Sequence, residues 1–417
     1  CPPPAANPAP ARTPQGREQP PPPLSRTNAA TATSSVWARP RVVANVAANE
    51  GVDYKIYVYD LPGEYHGDLK RDQRRCINDQ YGTEIKFHEE LLQSPVRTTN
   101  PDEAEFFYVP IYGECKLFKE TQLKGKEGLA ETNRWYLRAL EVIVNQHPWW
   151  NRTQGRDHVW LFAGARGPHI FKDWKKHIKK SIFMTPEGDR SLGEQFNTWK
   201  DIVIPGLEPD AAFIAGGMRK LRREWTDTGG EEKPIGSKDG PIFAYFRGTI
   251  RNKGGESYSR GIRIVMEERL RNEPGVIFTE QTSSCDRACY EREISRSTFC
   301  LCPRGWSPWT LRAYQAMLAG CIPVLLANEI ELPYENRLDW AQLSVKIPES
   351  DAARTLEILR AIPREEIAAK RRAIDKVAGM MAWQQPPQEG DAFHAVLWEL
   401  GRKLRRFKAS TTTFWMN

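Results

Sequence analysis

The chain has 417 residues, 40% of them hydrophobic and 27% charged, with 60 Lys and Arg against 53 Asp and Glu for a net charge of +7. That length exceeds one ordinary hydrophobic core and that composition excludes disorder throughout, so two domains of the usual size are expected. The basic excess is too small for a dedicated nucleic-acid binder, and no run approaches the roughly 18 apolar residues of a membrane span, Cys321–Ala327 being only strand-sized.

The first 40 residues hold 11 of the 31 prolines without helical or strand periodicity, which predicts a solvated, extended stem over 1–50. Order is expected from Asp53. Residues 54–60 alternate and end at Pro62-Gly63, giving a first strand and a turn. A helix at 83–93, a strand at 105–110, a helix at about 132–145 and a strand at 157–162 follow, and strands alternating with helices imply a parallel sheet with crossovers. Between about 210 and 240, Arg219, Arg222, Arg223, Gly229, Gly230 and Gly236 mark an expected interdomain connection. A second alternating series then runs through strands at 242–246, 276–278, 298–302 and 321–326 and helices at 261–272, 288–296 and 308–319. Helices at 351–360, 364–378 and 391–406 close the chain. The expected division is therefore a 51–235 domain, a 236–385 domain and a 386–417 segment whose helix crosses back to the first, with no internal sequence repeat evident.

Eight cysteines suit two or three bridges of a secretory protein, and Asn151-Arg152-Thr153 is a glycosylation triplet. Cys285, Cys289, Cys300 and Cys302 are spaced too closely at their second pair for a zinc knuckle, so a disulfide or buried thiols are expected there. Asp-x-Asp, His-Glu-x-x-His and Walker motifs are missing from the sequence, which argues against the metal-dependent chemistries they carry.

The most informative segment is Cys302–Arg312, a strand end, a glycine turn and a helix start. Ser307 is the expected cap, Pro308 the expected first helical residue, and Gly320 the end. Free amides of a helix start at the carboxyl edge of a parallel sheet make a phosphate site, with Arg304 and Arg312 adding charge. Arg247, just past the preceding strand, and Arg263 form a second basic group, and two such clusters suggest a diphosphate. Arg251, Lys253 and Arg260 suit a solvated loop equally well.

These pieces resemble, in serial order, the exostosin family of inverting glycosyltransferases, glycosyltransferase family 47. The similar segments are Lys55–Pro62, Glu105–Tyr112, Gly155–His158, Phe246–Gly248, Tyr258–Arg263, Ser297–Gly305, Ala319–Val324 and Leu332–Tyr334 through Asp339-Trp340, together covering roughly 53–380. The resemblance implies an α/β fold of two Rossmann-like doubly wound domains facing each other across a cleft, the GT-B arrangement. It also implies a nucleotide-sugar donor, here a UDP-sugar, on the C-terminal domain, no required cofactor and no bound metal. Members are typically Golgi membrane proteins with a stem, so an anchor upstream of this chain and a Golgi lumenal location are expected, with room for association with itself or with related transferases.

By the same resemblance Arg247 and Arg263 meet the donor phosphates, Gly305 lies in the phosphate turn, and Thr310 and Arg312 match the family's Ser-x-Arg element. Gln315 stands where the family usually has a ribose-binding Glu. Substitution of Arg263 is expected to weaken nucleotide binding and leave folding intact. Inversion needs a base, expected from the N-terminal domain: His169 first, then Asp173 and Asp157, with Asp60, Glu64, Glu114 and His158 also available. The 14 tryptophans, Trp306 and Trp309 among them, are expected mostly in packing. The expected acceptor is a wall polysaccharide, proteoglycan-type glycan or glycoprotein glycan. Gln315 motivates a second reading, a weak or inactive lumenal scaffold or carbohydrate-binding partner of an active transferase.

Overall fold

The structure, a computed structural model, describes residues 52–72, 74–191, 195–223, 241–252, 255–282 and 284–409. The expected stem, together with Gly229, Gly230, Gly236 and Lys253, lies outside the described residues.

Among the described residues eleven strands form two parallel sheets. The first contains β1 (Ile56–Val58), β2 (Arg97–Thr98), β3 (Phe106–Tyr108), β4 (His158–Leu161), β5 (Ile182–Thr185) and β6 (Ile202–Val203), in the order β2-β1-β3-β4-β5-β6. The second contains β7 (Ile242–Arg247), β8 (Val276–Thr279), β9 (Ser297–Pro303), β10 (Ile322–Leu326) and β11 (Val345–Lys346), in the order β11-β10-β9-β7-β8. Counted from its own first strand, each sheet begins 2-1-3-4-5, so the two halves repeat one topology although no sequence repeat is visible. In each, the direction of winding reverses between the first and third strands, and in such sheets ligands bind beyond the carboxyl strand ends at that reversal.

Alternation along the strands explains the layers. Phe106 and Tyr108 of β3 point to one face and Phe107 to the other, as Val159 and Leu161 oppose Trp160 on β4 and Ile182 and Met184 oppose Phe183 on β5. The first face shares a continuous core with the second half, and the opposite face is closed by aromatics including Trp135, Tyr136 and Phe171.

Helices used below are α1 (Thr83–Gln93), α2 (Gly113–Lys124), α3 (Gly128–Gln146), α4 (Ala211–Arg223), α5 (Ile262–Leu270), α6 (Arg287–Ser295), α7 (Leu311–Leu318), α8 (Arg364–Val377) and α9 (Ala392–Ala409). The first part of the supposed connection at 210–240 is helix α4. Asp210 starts it, its Oδ1 accepting from the amides of Ala212 at 2.9 Å and Phe213 at 3.0 Å. Gly217 lets α4 press on α7, since a Cβ there would sit 2.1 Å from the Leu318 carbonyl oxygen. Ring contact of Phe87 with Phe393 at 5.7 Å and the Lys403 ammonium donating to the Thr198 carbonyl at 2.6 Å seat α9 against the first half. Among the described residues no helix is long and apolar enough to cross a membrane.

Candidate functional site

The winding reversal of the second sheet lies between β7 and β9, and their carboxyl ends deliver Arg247-Gly248 and Pro303-Arg304-Gly305 side by side. Helix α7 follows. Its N-terminal flanking residue is Thr310, extended at φ −152° and ψ 133°, and its first helical residue is Leu311. The expected cap at Ser307 and first turn at Pro308 are therefore corrected: Gly305 donates to the Ser307 carbonyl at 3.0 Å, closing a turn that keeps 305–309 out of the helix. Trp309 is drawn inward against Gly206 and buried, whereas Trp306 at the loop's apex is 59% exposed and meets Tyr258 edge-on at 5.2 Å.

The arginines divide by what they hold. Arg247 is locked in a two-pronged pair with Glu293 of α6, 2.9 Å at each contact. Arg263, near the start of α5, is 5% exposed and spans two loops: Nε donates to the Arg304 carbonyl at 2.9 Å, Nη2 to the Pro303 carbonyl at 3.0 Å, and Nη1 to the Thr249 carbonyl at 2.6 Å and the Tyr258 hydroxyl at 2.7 Å. Burial, then the nearby Arg312 charge, pull its pKa down to about 10. Because these bonds tie Pro303 and Arg304 to Thr249 and Tyr258, the expectation that Arg263 can be removed without cost to the fold is corrected. The backbone that presents it is strained at two non-glycine residues, Ser259 at φ 58° and Arg260 at φ 50°, before Gly261 adopts its own φ of 76° without cost.

Arg312 is different. Its Nη2 donates to the Arg247 carbonyl at 2.7 Å and its guanidinium lies 4.5 Å from the centre of the Phe246 ring, yet Nε and Nη1 are buried without a partner. Gly248 makes room, since a Cβ there would come within 2.6 Å of Nη2. The Arg304 Nε is likewise buried and unpartnered, while its Nη1 reaches Glu349 at 3.4 Å. Buried donors of a cation without acceptors are costly unless a ligand supplies them.

Gln315 is engaged at both ends. Its Nε2 donates to Glu208 at 2.6 Å, and its Oε1 accepts from the Tyr290 hydroxyl at 2.7 Å. Glu208, whose side chain is fully buried, also accepts from Arg287 at 2.8 Å. A carboxylate therefore stands beside residue 315 after all, supplied from the segment that leaves β6. Neither Glu208 nor Glu293 was singled out by the sequence, because a partner 107 or 46 residues away leaves no local pattern.

In the first half, Asp157 begins β4 at the amino end of the strands, the edge opposite to ligand sites. It is buried and holds Arg152, Thr153 and His158 at 3.1, 2.6 and 2.8 Å. Burial opposes its ionisation, but these bonds outweigh it and hold the carboxyl below its ordinary range. Its assignment as a base is corrected to a structural one, and His158, fully buried between Asp157 and the Tyr59 hydroxyl, goes with it. His169 lies beyond the carboxyl end of β4, exposed, its pKa lowered by partial burial and the Lys175 charge against a hydrogen bond with Gln195. Asp173 is tied to α3, accepting from the Asn133 amide at 2.7 Å while its own amide donates back at 3.0 Å.

Among the described residues two disulfides, Cys285–Cys289 and Cys300–Cys321, are formed, and Cys76, Cys115 and Cys302 are buried thiols. Among the described residues Cys285, Cys289 and Glu293 form a group close enough for a metal, and the bond between its two sulfurs removes the thiolates a zinc ion would need.

A family model, the Exostosin GT47 domain, matches residues 51–362. The chain belongs to the exostosin GT47 family. This exostosin-family protein is a glycosyltransferase, and its two Rossmann-like halves are the GT-B arrangement. It is 33% identical over 371 residues to "Probable beta-1,4-xylosyltransferase IRX10" of Arabidopsis thaliana, covering 85% of this chain and 83% of that one. To a "Probable glucuronosyltransferase" of Oryza sativa subsp. japonica it is 34% identical over 364 residues, covering 84% and 81%. Among solved structures it aligns with Anabaena HepE, crystallised with UDP and glucose, at a TM-score of 0.39 and 10% identity over 85% of this chain and 99% of that one.

Proposed function

We propose that this glycosyltransferase moves a sugar, with inversion, from a UDP-sugar to a growing glycan in the Golgi lumen, a wall polysaccharide being the acceptor that the xylosyl- and glucuronosyltransferase names of its relatives favour. The observation that supports this reading is Arg312: two buried, unpartnered N–H groups at the winding reversal, with Arg304 beside it. There they would meet the diphosphate as the bond from the anomeric carbon to phosphate oxygen breaks and its electron pair leaves on that oxygen. Thr310 and Gly305 offer a hydroxyl and a bare backbone to the same phosphates, and Arg263 and Arg247 shape the turn around them. The Gln315–Glu208 pair serves the nucleoside side. His169, kept neutral by its lowered pKa, takes the proton of the acceptor hydroxyl. Asp173 serves beside it by fixing the segment that carries it.

The reading is tested by calorimetry of nucleoside diphosphates, with and without EDTA, on the protein and on Arg312→Ala. UDP should bind without metal, and the variant should lose about 10- to 100-fold in affinity, the cost of a charge-assisted contact of roughly 1.5–3 kcal/mol. Equal affinity would remove Arg312 from the site. Failure of every diphosphate to bind would favour the scaffold.

A further inference from the structure

Glu187 stands two residues beyond the carboxyl end of β5, and none of the roles above uses it. It is 1% exposed, and both carboxylate oxygens are buried without a well-formed hydrogen bond. Its backbone is held on both sides. The Glu187 amide donates to the Thr185 hydroxyl at 3.1 Å, and Gly188 presses on residue 331 so closely that a Cβ would lie 2.3 Å from the Glu331 carbonyl oxygen. Glu331 donates to the Gly188 carbonyl at 2.8 Å and Arg190 to the Glu329 carbonyl at 3.0 Å, flanking an antiparallel bridge of Asp189 with Ile330. This seam joins the two halves and fixes the side chain beside the turn that precedes α7.

The groups facing the carboxyl are Ser307 and Arg304 from that turn, Tyr314 from α7 and Asp189 from its own segment. We propose that Glu187 is a positioning residue for glycosyl transfer, its carboxyl bearing on Ser307 and so setting where the Arg304–Ser307 turn stands relative to Arg312. The proposal rests on the reading of that turn as part of the donor site. Burial raises the Glu187 pKa to about 8; the Ser307 hydroxyl and Arg304 work against the rise and Asp189 adds to it. At neutral pH the group is therefore the uncharged acid, able to donate to the turn as well as accept. As pH rises through 8 it becomes a buried anion, and the arrangement that held the turn is lost. Since an acid of this kind is mimicked by an amide, the glutamine variant separates this role from that of a proton-accepting base.

The experiment uses the full chain as wild type, Glu187→Gln and Glu187→Ala, measuring UDP affinity, donor KM and kcat between pH 6 and 9. Wild type is expected to decline above pH 8, and Glu187→Gln to keep kcat/KM within about threefold at pH 7 and to lose that decline. Glu187→Ala is expected to raise donor KM and weaken UDP at least tenfold with a smaller change in kcat. Thermal unfolding gives a readout apart from activity: because the native pKa is raised, the contribution of the acid is full below about pH 4.5 and lost through pH 8, so wild type should fall relative to Glu187→Gln as pH rises over that window. Loss of kcat in Glu187→Gln with KM unchanged would make Glu187 the base and overturn the positioning role. Superimposed pH profiles, or UDP affinity unchanged in Glu187→Ala, would overturn it too. If wild type itself binds no nucleoside diphosphate, the donor-site reading fails and carries this proposal with it; binding by wild type with an indifferent alanine variant sinks the proposal alone.

Discussion

The two winding reversals of this molecule share a topology and differ in charge. At the first, between β1 and β3, the carboxyl strand ends are closed over by acids: Glu84 and Glu114 are buried, the Glu114 amide donates to Glu84 at 3.2 Å, and Glu114 fills the space a side chain on Gly164 would need. Tyr112 and His88, bonded at 2.9 Å, complete the plug. At the second, between β7 and β9, glycine and arginine stand where acids and aromatics stand in the first, and some arginine donors have no protein acceptor. Backbone geometry makes both places available for a ligand; side-chain chemistry leaves only the second suited to an anion. One topology thus yields a sealed reversal and a receptive one.

That contrast is exposed to test from both sides. The largest effect is expected at Arg263. Removing it leaves the carbonyls of Thr249, Pro303 and Arg304 and the Tyr258 hydroxyl without their donor, and Arg263→Ala should cost about 3–5 kcal/mol in denaturant unfolding. A loss below about 1 kcal/mol would mean that the receptive reversal does not depend on this brace. Next is Glu114, whose pKa burial raises to about 7 against the Arg166 charge. With the native value above the ordinary one, its contribution to stability is complete below about pH 4.5 and lost as pH rises through 7. Glu114→Gln should therefore leave unfolding stability little changed at pH 5 and raise it at pH 8, by up to about 3 kcal/mol at 1.36 kcal/mol per unit. A variant less stable than wild type at pH 8 would mean the plug needs its charge. The smallest effect is expected at Gln315. Gln315→Glu sets a second acid against buried Glu208, so unfolding stability should drop by about 1–2 kcal/mol at pH 8. A rise at pH 8 would show that the two groups do not share a buried site.

Periodicity carried the repeating elements well. The helix expected at 83–93 is α1 to the residue, and the strands of the second half are found within a residue or two at most ends, because buried parallel strands are short apolar runs bounded by turns. The two-residue strands β2, β6 and β11 carry too few side chains for any period, β5 was passed over, and α2 has a weak apolar stripe. Arg219, Arg222 and Arg223 and the glycines beyond them point to a connection over 210–240, yet its first part is helix α4, started by Asp210. Within the site, the sequence placed the basic segments at the right strand ends, since strand-end position is a local property. What each guanidinium holds is not local: Arg247 and Glu293 look unrelated until α6 brings them together, and Arg312 differs from Arg263 only in which carbonyls the fold sets before it. Asp157 is the opposite case: a strand that starts at 157 in a parallel sheet already sets it at the amino edge, away from ligand sites, and the structure finds it there, immediately before β4.

The return of α9 has a consequence for synthesis. Tyr54 finds the partner of its hydroxyl in the Leu397 carbonyl, and Phe87 packs on Phe393. The first sheet to leave the ribosome is thus unfinished until residues more than 300 positions later have emerged. Its apolar face stands open to water and to chaperones for most of translation. Full assembly of the early half is a late event, and damage near the carboxyl-terminal helix should register first in the yield of folded protein and only afterwards in its chemistry.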